Sequence, residues 1–305
     1  PDDVALCVVP LFHVLGLNSI LDLSLWAGAT LVLVERFDPS SMVDTIRDEQ
    51  VTLLVGPPTM WAALTELDDA SPEAFSTVRL AVSGAAALPE KVAQAAAAVL
   101  GIQLHEGYGL TEASPSVTLG AGTDAPIGSI GRPIAGIEMR LVDDDGADVY
   151  IGDPGEILVR GPNVFPGYWQ DPEATASVLD SEGWLHTGDI AVVDDEGFLY
   201  LVDRAKDLII VSGFNVYPAE VERVLATHPA VAEAAVTAVA HPHSGEAVKA
   251  FVVTEAGAAV EEDELIAWCA ARLARYKCPN KVDVVDELPH GLTGKVLRRE
   301  LPGRL

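Results

Sequence analysis

Apolar and polar positions alternate in blocks along the first part of the chain. Apolar runs rich in β-branched residues ("VALCVVP", "ATLVLVE", "VTLLVG" and "VRLAVSG") are separated by segments with helical spacing, such as "SSMVDTIRDEQ" and "PEKVAQAAAAVL". Such alternation is typical of βαβ units, whose apolar strands form a parallel sheet that helices cover on both faces. We therefore predict an α/β fold with a mostly parallel sheet between Val4 and about Glu106.

The pattern changes twice along the rest of the chain. Between Pro126 and Val202, short strands such as "GEILVRG" and "GFLYLV" alternate with Gly, Pro and Asp turns, which predicts a small antiparallel or barrel-like subdomain. After Asp203, runs such as "PAEVERVLATH", "EAVKAFVV" and "EDELIAWCAARLARY" predict a small α+β domain. We therefore expect two domains, 1–202 and 203–305.

Composition narrows the classes of partner. The chain has 305 residues, of which 49% are hydrophobic, enough to fill the cores of two domains. Its formal net charge of -27 argues against nucleic acid as a partner, since nucleic-acid phosphates require a basic protein face. The acidic surplus also means that an anionic substrate would have to be bound by a few placed cations.

Cysteine use and hydropathy bear on the compartment. The three cysteines, Cys7, Cys269 and Cys278, are scattered and lack CxxC spacing, so neither a disulfide framework nor a zinc site is predicted. No apolar run is long enough to span a bilayer, and "PDDVALCVVP" lacks the basic segment of an export signal. We expect a cytoplasmic protein, and the pattern leaves its oligomeric state open.

The stretch "EGYGLTEASP", Glu106–Pro115, combines glycines with an aromatic ring, a hydroxyl and a carboxylate. Glycine lets the backbone approach a ligand closely, and Tyr108 offers a flat face to a base. Thr111 offers a hydroxyl to a phosphate, and Glu112 offers a carboxylate to Mg²⁺, which prefers oxygen ligands. An ordinary loop with a capping threonine and an exposed glutamate explains the same residues, so both interpretations stay open.

Two later stretches carry charged candidates. "GWLHTGD" ends at Asp189, whose carboxylate could accept both ribose hydroxyls of a nucleotide or could simply close a turn. The run "VDRAKDLIIVSGFNVYPAEVE" sets Arg204 and Lys206 among aspartates, which is unusual in a chain so poor in basic residues. It is either a hinge beside a ligand-binding arginine or a solvated linker with weak ion pairs.

Two stretches in the first part of the chain have equally open interpretations. His13 in "PLFHVLGL" stands amid apolar residues, where a histidine is either catalytic or a core or capping residue. "SGAAALP", Ser83–Pro89, provides small residues after a predicted strand. These residues suit backbone contact with a flat ligand, and they equally suit a plain strand-to-helix turn.

The stretch "LPHGLTGKVLRREL" holds Lys295 directly behind the glycine turn 291–294. It is not a P-loop, because Pro289 occupies the position of the required glycine and Val296 follows the lysine. We predict a basic helix for "KVLRREL", residues 295–301.

The joint order of these stretches carries more information than any one of them. The chain resembles the adenylate-forming superfamily over essentially its whole length, in the order and spacing of "PLFH", "SGAAALP", "GYGLTE", "GEILVRG", "GYW", "GWLHTGD", "DRAKDLIIVSGFNVYPAEVE" and "LPHGLTGKVLRREL". Within that superfamily it is most similar to the long-chain fatty acyl-CoA synthetases, on stretches such as "GYWQDPEAT" and "SGEAVKAFVV". The resemblance implies an adenylation domain in 1–202 and a small mobile lid domain in 203–305.

The resemblance implies a two-step reaction that uses ATP, Mg²⁺ and coenzyme A. The carboxylate of a fatty acid would attack the α-phosphate of ATP and release pyrophosphate, leaving an acyl-adenylate. The thiol of coenzyme A would then attack the acyl carbonyl and release AMP. Because one anion attacks another in the first step, catalysis would rest on positioning and charge neutralisation.

The resemblance also implies which residues would surround the nucleotide. Tyr108 would stack on adenine, Asp189 would accept the ribose hydroxyls, and Arg204 would assist Asp189. Thr111 would bind the α-phosphate and Glu112 would bind Mg²⁺. The nucleotide-binding set at the matching positions comprises Gly84, Ala85, Ala86, Gly107, Tyr108, Gly109, Leu110, Thr111, Asp189 and Arg204.

A further set of implied residues would serve the chemistry and the lid. Lys295 would bridge the attacking carboxylate and the α-phosphate, and His13 would lie between the acyl and nucleotide pockets. Lys206 would be the hinge about which the lid turns. Turning would withdraw Lys295 and bring the coenzyme A side of the lid towards the adenylate, namely Ser212, Gly213 and Phe214.

One departure from the superfamily pattern keeps other functions open. A Ser/Thr/Gly-rich phosphate loop should precede "PLFH", and residues 1–12 contain no match to it. We therefore expect an N-terminally incomplete synthetase that need not be competent by itself. The alternatives are an acyl-AMP ligase that delivers to a carrier protein, which the loop "SGFNVYPAEVE" disfavours, and a non-catalytic fragment that binds nucleotide or acyl group.

Overall fold

The computed structural model describes residues 1–204, 207–291 and 295–303. The chain divides into two compact units. The first unit comprises Pro1–Thr187 and Val192–Leu201, and the second comprises Gly188–Ala191 and Val202–Leu305. The second unit therefore takes a short segment from the middle of the chain in addition to the C-terminal part.

A seven-stranded sheet forms the centre of the first unit, in the order β2-β1-β3-β4-β5-β6-β7. The first five strands are parallel to one another, as the apolar runs predicted, and the last two are antiparallel. The strands are β1 Val4–Cys7, β2 Thr30–Leu33, β3 Leu53–Gly56, β4 Leu80–Ser83, β5 Leu104–Gly109, β6 Ser116–Leu119 and β7 Arg132–Pro133. The predicted α/β class with a large parallel sheet is confirmed.

Helices connect the parallel strands and pack against both faces of the sheet, because Leu6 of β1 belongs to one core cluster while its neighbours Ala5 and Cys7 pack with Ile20 in another. They are α1 Leu23–Ala27, α2 Pro39–Asp48, α3 Pro58–Thr65 and α4 Glu90–Ala95, with π-helical segments Leu15–Asp22 and Ala96–Leu100. Helix α2 begins where its pattern predicts, because Asp38 accepts a hydrogen bond from the amide of Ser41 at 2.9 Å and Pro39 occupies the first turn. The core between sheet and helices includes the fully buried Trp61, Phe75 and Leu54.

A second sheet of four strands follows, in the order β11-β10-β9-β8. Its strands are β8 Glu138–Val142, β9 Gly155–Arg160, β10 Leu185–Val193 and β11 Leu199–Arg204, and helix α5 spans Pro172–Val178. Its first hairpin loop is closed by Asp143, whose carboxylate accepts from the amides of Asp145 and Ala147. This sheet is the small subdomain that the Gly, Pro and Asp turns predicted.

The second unit is an α+β structure built on a five-stranded sheet. Strands β12 to β15 are neighbours in the order β13-β12-β15-β14, and β16 pairs with β15 in parallel. The elements are β12 Ile209–Val211, β13 Phe214–Val216, α6 Pro218–Ala226, β14 Val231–His241, β15 Gly245–Thr254, α7 Glu262–Ala270 and β16 Lys281–Val284, with 3-10 turns at Arg275–Lys277 and Arg298–Glu300. Helices α6 and α7 contribute the buried Val221, Leu225 and Leu265 to its core.

The helix predicted for residues 295–301 is wrong. Val296 instead forms an antiparallel bridge with His290, and the amide of Leu297 donates to the carbonyl of Pro289 at 2.7 Å. The carbonyl of Lys295 likewise accepts from the amide of Gly291 at 2.8 Å. The Lys295 carbonyl, which a helix would bond to an amide four residues further on, is therefore already used, and only the 3-10 turn at Arg298–Glu300 is helical. Among the described residues, no helix is long and apolar enough to cross a membrane.

Candidate functional site

The carboxyl ends of the parallel strands carry the first group of predicted site residues. His13 follows β1, Gly84–Ala86 follow β4, and Tyr108 and Gly109 end β5. Ser83, the last residue of β4, pairs with Glu106 of β5, so the segment after β4 begins beside β5, which continues to Gly109. Ligands of open α/β sheets bind at this edge of the strands, and the sequence-predicted residues of the first unit therefore share one plausible surface.

The segment after β4 is small and conformationally strained. Ala85 has φ of 70°, in the left-handed region that costs a residue with a Cβ atom roughly 1 kcal/mol or more. A Cβ atom added at Gly84 would lie 3.6 Å from Cδ2 of Leu15, which is ordinary contact. The fold alone therefore does not require glycine at position 84, and a closely approaching ligand would supply a reason for it.

The stretch predicted to flank this segment is partly strand. Glu106–Gly109 belong to β5, so a loop begins only at Leu110, whose amide donates to the carbonyl of Pro115 at 2.9 Å. A Cβ atom at Gly109 would lie 1.8 Å from that carbonyl oxygen, so the backbone itself demands glycine here. Tyr108 is only 8% exposed, so most of its ring packs inside the first unit.

Thr111 and Glu112 lie in a 3-10 turn, Thr111–Ala113, just beyond β5. The side chain of Thr111 is exposed, and the Glu112 carboxylate accepts a hydrogen bond from the Tyr168 hydroxyl at 2.7 Å. The carbonyl of Glu112 also accepts from the amide of Phe165 at 2.8 Å. Two residues of the segment 161–168 therefore contact the 3-10 turn that carries Glu112. The sequence did not predict these contacts.

The predicted Mg²⁺ ligand, Glu112, belongs to no cluster of metal-binding side chains in the described ranges. Within the ranges the structure describes, no group of three or more His, Cys, Asp or Glu side chains could hold a metal ion. Mg²⁺ is commonly bound through one or two carboxylates, with substrate phosphates and water completing its shell. A single carboxylate at Glu112 suits that arrangement.

His13 has a structural role in the described state. Its Nδ1 atom accepts a hydrogen bond from the amide of Leu15 at 3.1 Å, and its carbonyl accepts from the amide of Leu17. These bonds open the helical segment Leu15–Asp22, which is the capping role considered among the alternatives. A ring that accepts at Nδ1 carries its proton at Nε2 when neutral, so a donor remains for other partners. Catalysis by His13 stays a prediction.

The second unit brings together three of its predicted residues. Nε of Arg204 donates to Oδ1 of Asp189 at 3.0 Å, and the Asp189 side chain is largely buried. Lys295 is solvent-accessible, yet burial of its surroundings lowers the pKa of its ammonium group, and the charge of Arg204 lowers this pKa further. The carboxylate of Asp189 acts in the opposite sense. Asp189 and Arg204 thus form an ion pair, and both of their charges act on Lys295.

The segment predicted to face coenzyme A is a tight hairpin turn between β12 and β13. Ser212 and Gly213 both have positive φ, 53° and 85°, as the two-residue turn that matches strand twist requires. Phe214 follows, 57% exposed, and its ring stacks on Tyr276 with centroids 4.9 Å apart. The turn therefore presents an aromatic side chain to solvent on a rigid support. The predicted hinge Lys206 and residues 292–294 of the glycine turn lie outside the described residues.

Two buried charged groups near these residues were missed by sequence reasoning. Glu106 accepts hydrogen bonds from the amides of Leu88 and Gly128, both at 3.1 Å, and burial raises the pKa of its carboxyl group to about 7. Arg298 contacts Glu222, Asp203 and Asp207 in the second unit. Glu106 comes directly before the "GYG" motif, and Arg298 comes three residues after Lys295. Their positions next to predicted site residues were the sequence signal that could have identified them.

Comparison with known proteins assigns both parts of the chain to known families. The "AMP-binding enzyme" profile matches residues 1–169, and the "AMP-binding enzyme C-terminal domain" profile matches residues 220–295. A long-chain-fatty-acid–CoA ligase of Yersinia pestis is 46% identical over 303 residues, which are 98% of this chain and 53% of that protein. The chain thus spans about half the length of this relative.

Relatives with other names match the chain as well. A feruloyl-CoA synthase of Amycolatopsis sp is 42% identical over 307 residues, covering 99% of this chain and 62% of the relative. The crystal structure of ATP-bound MatB from Rhodopseudomonas palustris is 35% identical and superimposes with a TM-score of 0.93, over 98% of this chain and 59% of MatB. The profile match over more than half of the chain decides the family: this chain belongs to the AMP-binding, adenylate-forming enzymes.

Proposed function

We propose that this chain serves an AMP-forming acid–thiol ligase, which activates a long-chain fatty acid with ATP and transfers it to coenzyme A. The observation that carries the proposal is the ion pair between Asp189 and Arg204 in the second unit, whose two charges both act on Lys295. The relatives named long-chain-fatty-acid–CoA ligases support the substrate class. The feruloyl-CoA synthase relative makes an aromatic acid the main competing substrate.

The charge cluster of the second unit suits the first half-reaction. A carboxylate that approaches the α-phosphate meets strong repulsion, and a flexible ammonium group such as Lys295 can bridge both anions as a point charge. Asp189 would accept the two ribose hydroxyls. Arg204, which already donates to Asp189, would keep the carboxylate oriented. In this scheme the carboxylate oxygen bonds to the α-phosphorus as the bond to pyrophosphate breaks.

Residues of the first unit would hold the base and the phosphate. The strained segment Gly84–Ala86 would line one side of adenine and the accessible part of Tyr108 the other. The exposed hydroxyl of Thr111 would donate to the α-phosphate. Mg²⁺, when bound, supplies positive charge to the phosphates, and Glu112 would contribute one carboxylate oxygen to it.

The second half-reaction requires the adenylate to meet a thiol. We assign 1–202 as the adenylation domain and 203–305 as a lid that turns about Lys206. Turning would exchange Lys295 for the hairpin at Ser212–Phe214, whose exposed aromatic ring suits the entrance of coenzyme A. The free cysteines Cys7, Cys269 and Cys278 support a reducing compartment such as the cytoplasm.

The test is an assay of both half-reactions with a panel of acids. Palmitate, oleate and ferulate are each supplied with ATP and Mg²⁺, and pyrophosphate release is measured before coenzyme A or a carrier protein is added. Lys295→Ala is compared with Lys281→Ala, a lysine of β16 whose side chain is 59% exposed. We expect Lys295→Ala to lower the rate of pyrophosphate release about 100-fold or more, because it removes a preorganised charge.

The outcomes separate the competing functions. Thioester formed only with coenzyme A supports the synthetase, whereas transfer only to the carrier protein supports an acyl-AMP ligase. Saturable AMP binding without turnover supports a non-catalytic nucleotide-binding module. Preference for ferulate over both fatty acids would overturn the substrate class and keep the reaction.

A further inference from the structure

Arg298 is the centre of a charge cluster in the second unit. Its Nε and Nη2 atoms donate to the two oxygens of Glu222 at 3.1 and 2.6 Å, a bidentate pair. Its Nη1 atom donates to Asp203 at 3.2 Å and to Asp207 at 3.4 Å. The Arg298 side chain is 20% exposed and that of Asp203 is 2% exposed. The guanidinium group therefore joins three carboxylates away from bulk solvent.

The carboxylates that meet Arg298 are themselves fixed by backbone amides. Asp203 accepts from its neighbour Arg204 at 2.8 Å and from Ala219, in the first turn of α6, at 2.6 Å. Glu222 accepts from the amide of Val236 in β14 at 2.8 Å. Because these oxygens are already held, they form a socket of fixed geometry that a planar, forked donor fills better than a point charge.

The carboxylates around Arg298 keep its guanidinium group charged despite burial. Burial opposes the charged form of Arg298, yet Glu222, Asp203 and Asp207 together raise the pKa of the guanidinium group above its ordinary value. Arg298 is therefore a permanent cation. Loss of its charge would leave buried carboxylates without compensation, which is costly in a protein interior.

The backbone at Lys295 and directly after it has two attachments. In the first, the carbonyl of Lys295 accepts from the amide of Gly291, and Val296 and Leu297 pair with His290 and Pro289. In the second, Arg298 inserts into the socket, three residues after the lysine. The backbone that follows Lys295 is thus fixed, while the lysine side chain stays solvent-accessible.

We propose that Arg298 is a positioning residue that holds Lys295 beside Asp189 and Arg204 for the adenylation half-reaction. This inference rests on the function proposed for Lys295. Arg298, Asp203, Asp207 and Glu222 all belong to the second unit, so the socket fixes the Lys295 segment within that unit. Arg298 serves adenylation and is dispensable for thioester formation.

The first experiment measures positioning without any turnover. Amide hydrogen exchange is compared among the wild-type protein, Arg298→Lys and Arg299→Lys, the last changing an exposed neighbour. We expect exchange of the Leu297 and Gly291 amides to become about 10-fold faster in Arg298→Lys only, because local opening becomes easier. The amides of Ala250 and Val252 in β15 should keep their protection. Equal acceleration in β15, or no acceleration at all, overturns the proposal.

The second experiment separates the half-reactions. Pyrophosphate release from ATP and fatty acid is compared with thioester formation from supplied acyl-adenylate and coenzyme A. We expect Arg298→Lys to lower kcat of the first about 10- to 100-fold with KM for ATP nearly unchanged, since a displaced catalytic group is costly. The second half-reaction should stay within about twofold.

Asp203→Asn, which weakens one of the bonds of the socket, should have a smaller effect in the same direction. An equal loss in both half-reactions would mean a merely structural role and overturn the proposal. If the wild-type protein adenylates no acid, the proposed function fails, and the exchange experiment still decides whether Arg298 fixes the Lys295 segment.

Discussion

The hydroxyl of Tyr168 donates a hydrogen bond to Oε1 of Glu112 across 2.7 Å. This bond raises the pKa of Tyr168 to about 12, so the hydroxyl group remains a donor through the neutral and alkaline range. The bond engages one carboxylate oxygen and orients the other. Tyr168 lies in the "GYW" stretch, which helped to identify the family but had no role assigned to it.

We predict that Tyr168→Phe raises the Mg²⁺ concentration needed for half-maximal adenylation about tenfold, because groups that orient a metal ligand tune metal affinity strongly. The measurement is a Mg²⁺ titration of pyrophosphate release at saturating ATP. Tyr150→Phe, at an exposed tyrosine of the first unit, is the matched control. An unchanged Mg²⁺ requirement in Tyr168→Phe would contradict the prediction that Glu112, as oriented by Tyr168, binds the metal ion.

Glu106 predicts a pH dependence of folding stability. Burial raises the pKa of its carboxyl group from 4.5 to about 7, so the native state binds this proton more tightly than the unfolded chain. The associated stability is complete below pH 4.5 and is lost as the pH rises through about 7, a change of about 3 kcal/mol in the free energy of unfolding. A small cavity of about 20 Å³ beside Glu106 has room for one water, which could soften the loss.

The variant Glu106→Gln removes this titration and keeps an amide of similar shape. We expect the wild-type protein to lose stability relative to Glu106→Gln steadily between about pH 4.5 and pH 7, with little further loss above the raised pKa. Urea unfolding at several pH values measures the difference, and Glu66→Gln at an exposed site serves as control. Parallel stability curves for Glu106→Gln and the wild type would contradict the prediction.

The two glycines that bracket Tyr108 should respond differently to the same substitution. A Cβ atom at Gly109 meets the Pro115 carbonyl oxygen at 1.8 Å, whereas one at Gly107 meets Leu119 Cδ1 and the Thr118 carbonyl oxygen at 3.2 Å. We predict that Gly109→Ala lowers the free energy of unfolding by about 3 kcal/mol or more and Gly107→Ala by about 1 kcal/mol. Thermal and urea unfolding of the two variants provide the comparison. Similar losses of stability in both variants would show that the loop after β5 can shift to accommodate the added methyl group.

Gly84 offers a test of the adenine slot that does not disturb the fold. An added methyl group there makes only ordinary contact with Leu15, so Gly84→Ala should keep the wild-type melting temperature. If adenine passes along this backbone, the methyl group weakens AMP binding about tenfold through overlap with the base. Isothermal titration with AMP measures the affinity. Wild-type affinity in a stable Gly84→Ala protein would place the base elsewhere.

Asp189 should matter for nucleotide affinity in a charge-dependent way. Hydrogen bonds to charged groups contribute about 1.5 to 3 kcal/mol, so Asp189→Asn should weaken AMP binding about 10- to 100-fold. Asp148→Asn, at a surface aspartate paired with Arg140, is a suitable control. Equal affinity for AMP and adenine in the wild-type protein would show that no ribose contact is made, and Asp189 would then be structural.

Local patterns predicted the parts of the fold that local physics decides. The βαβ alternation of the first unit and the helical segment at α2 follow from short-range periodicity. The failed helix at residues 295–301 has the opposite cause, because the backbone partners of Lys295 and Leu297 lie in the preceding segment. A prediction from helical propensity takes no account of such competing backbone partners.

Contacts between distant residues explain what the sequence missed in the candidate site. Arg298 meets Asp203 from 95 positions away and Glu222 from 76 positions away, and Tyr168 meets Glu112 from 56. No periodicity links such pairs. The family resemblance supplied roles for residues inside known motifs and gave no role to their buried partners.

The second unit is made of two separate segments of the chain, and this matters for hybrids between this chain and its relatives. Gly188–Ala191 group with the C-terminal residues, so Asp189 and Arg204 form an ion pair across a stretch of chain that belongs to the first unit. A crossover at residue 202 would inherit Arg204 and Lys295 from one parent and Asp189 from the other. A hybrid that exchanges residues 188–191 together with the C-terminal part takes both Asp189 and Arg204 from the same parent. The activity of a hybrid should therefore follow the parent that supplies these two segments together.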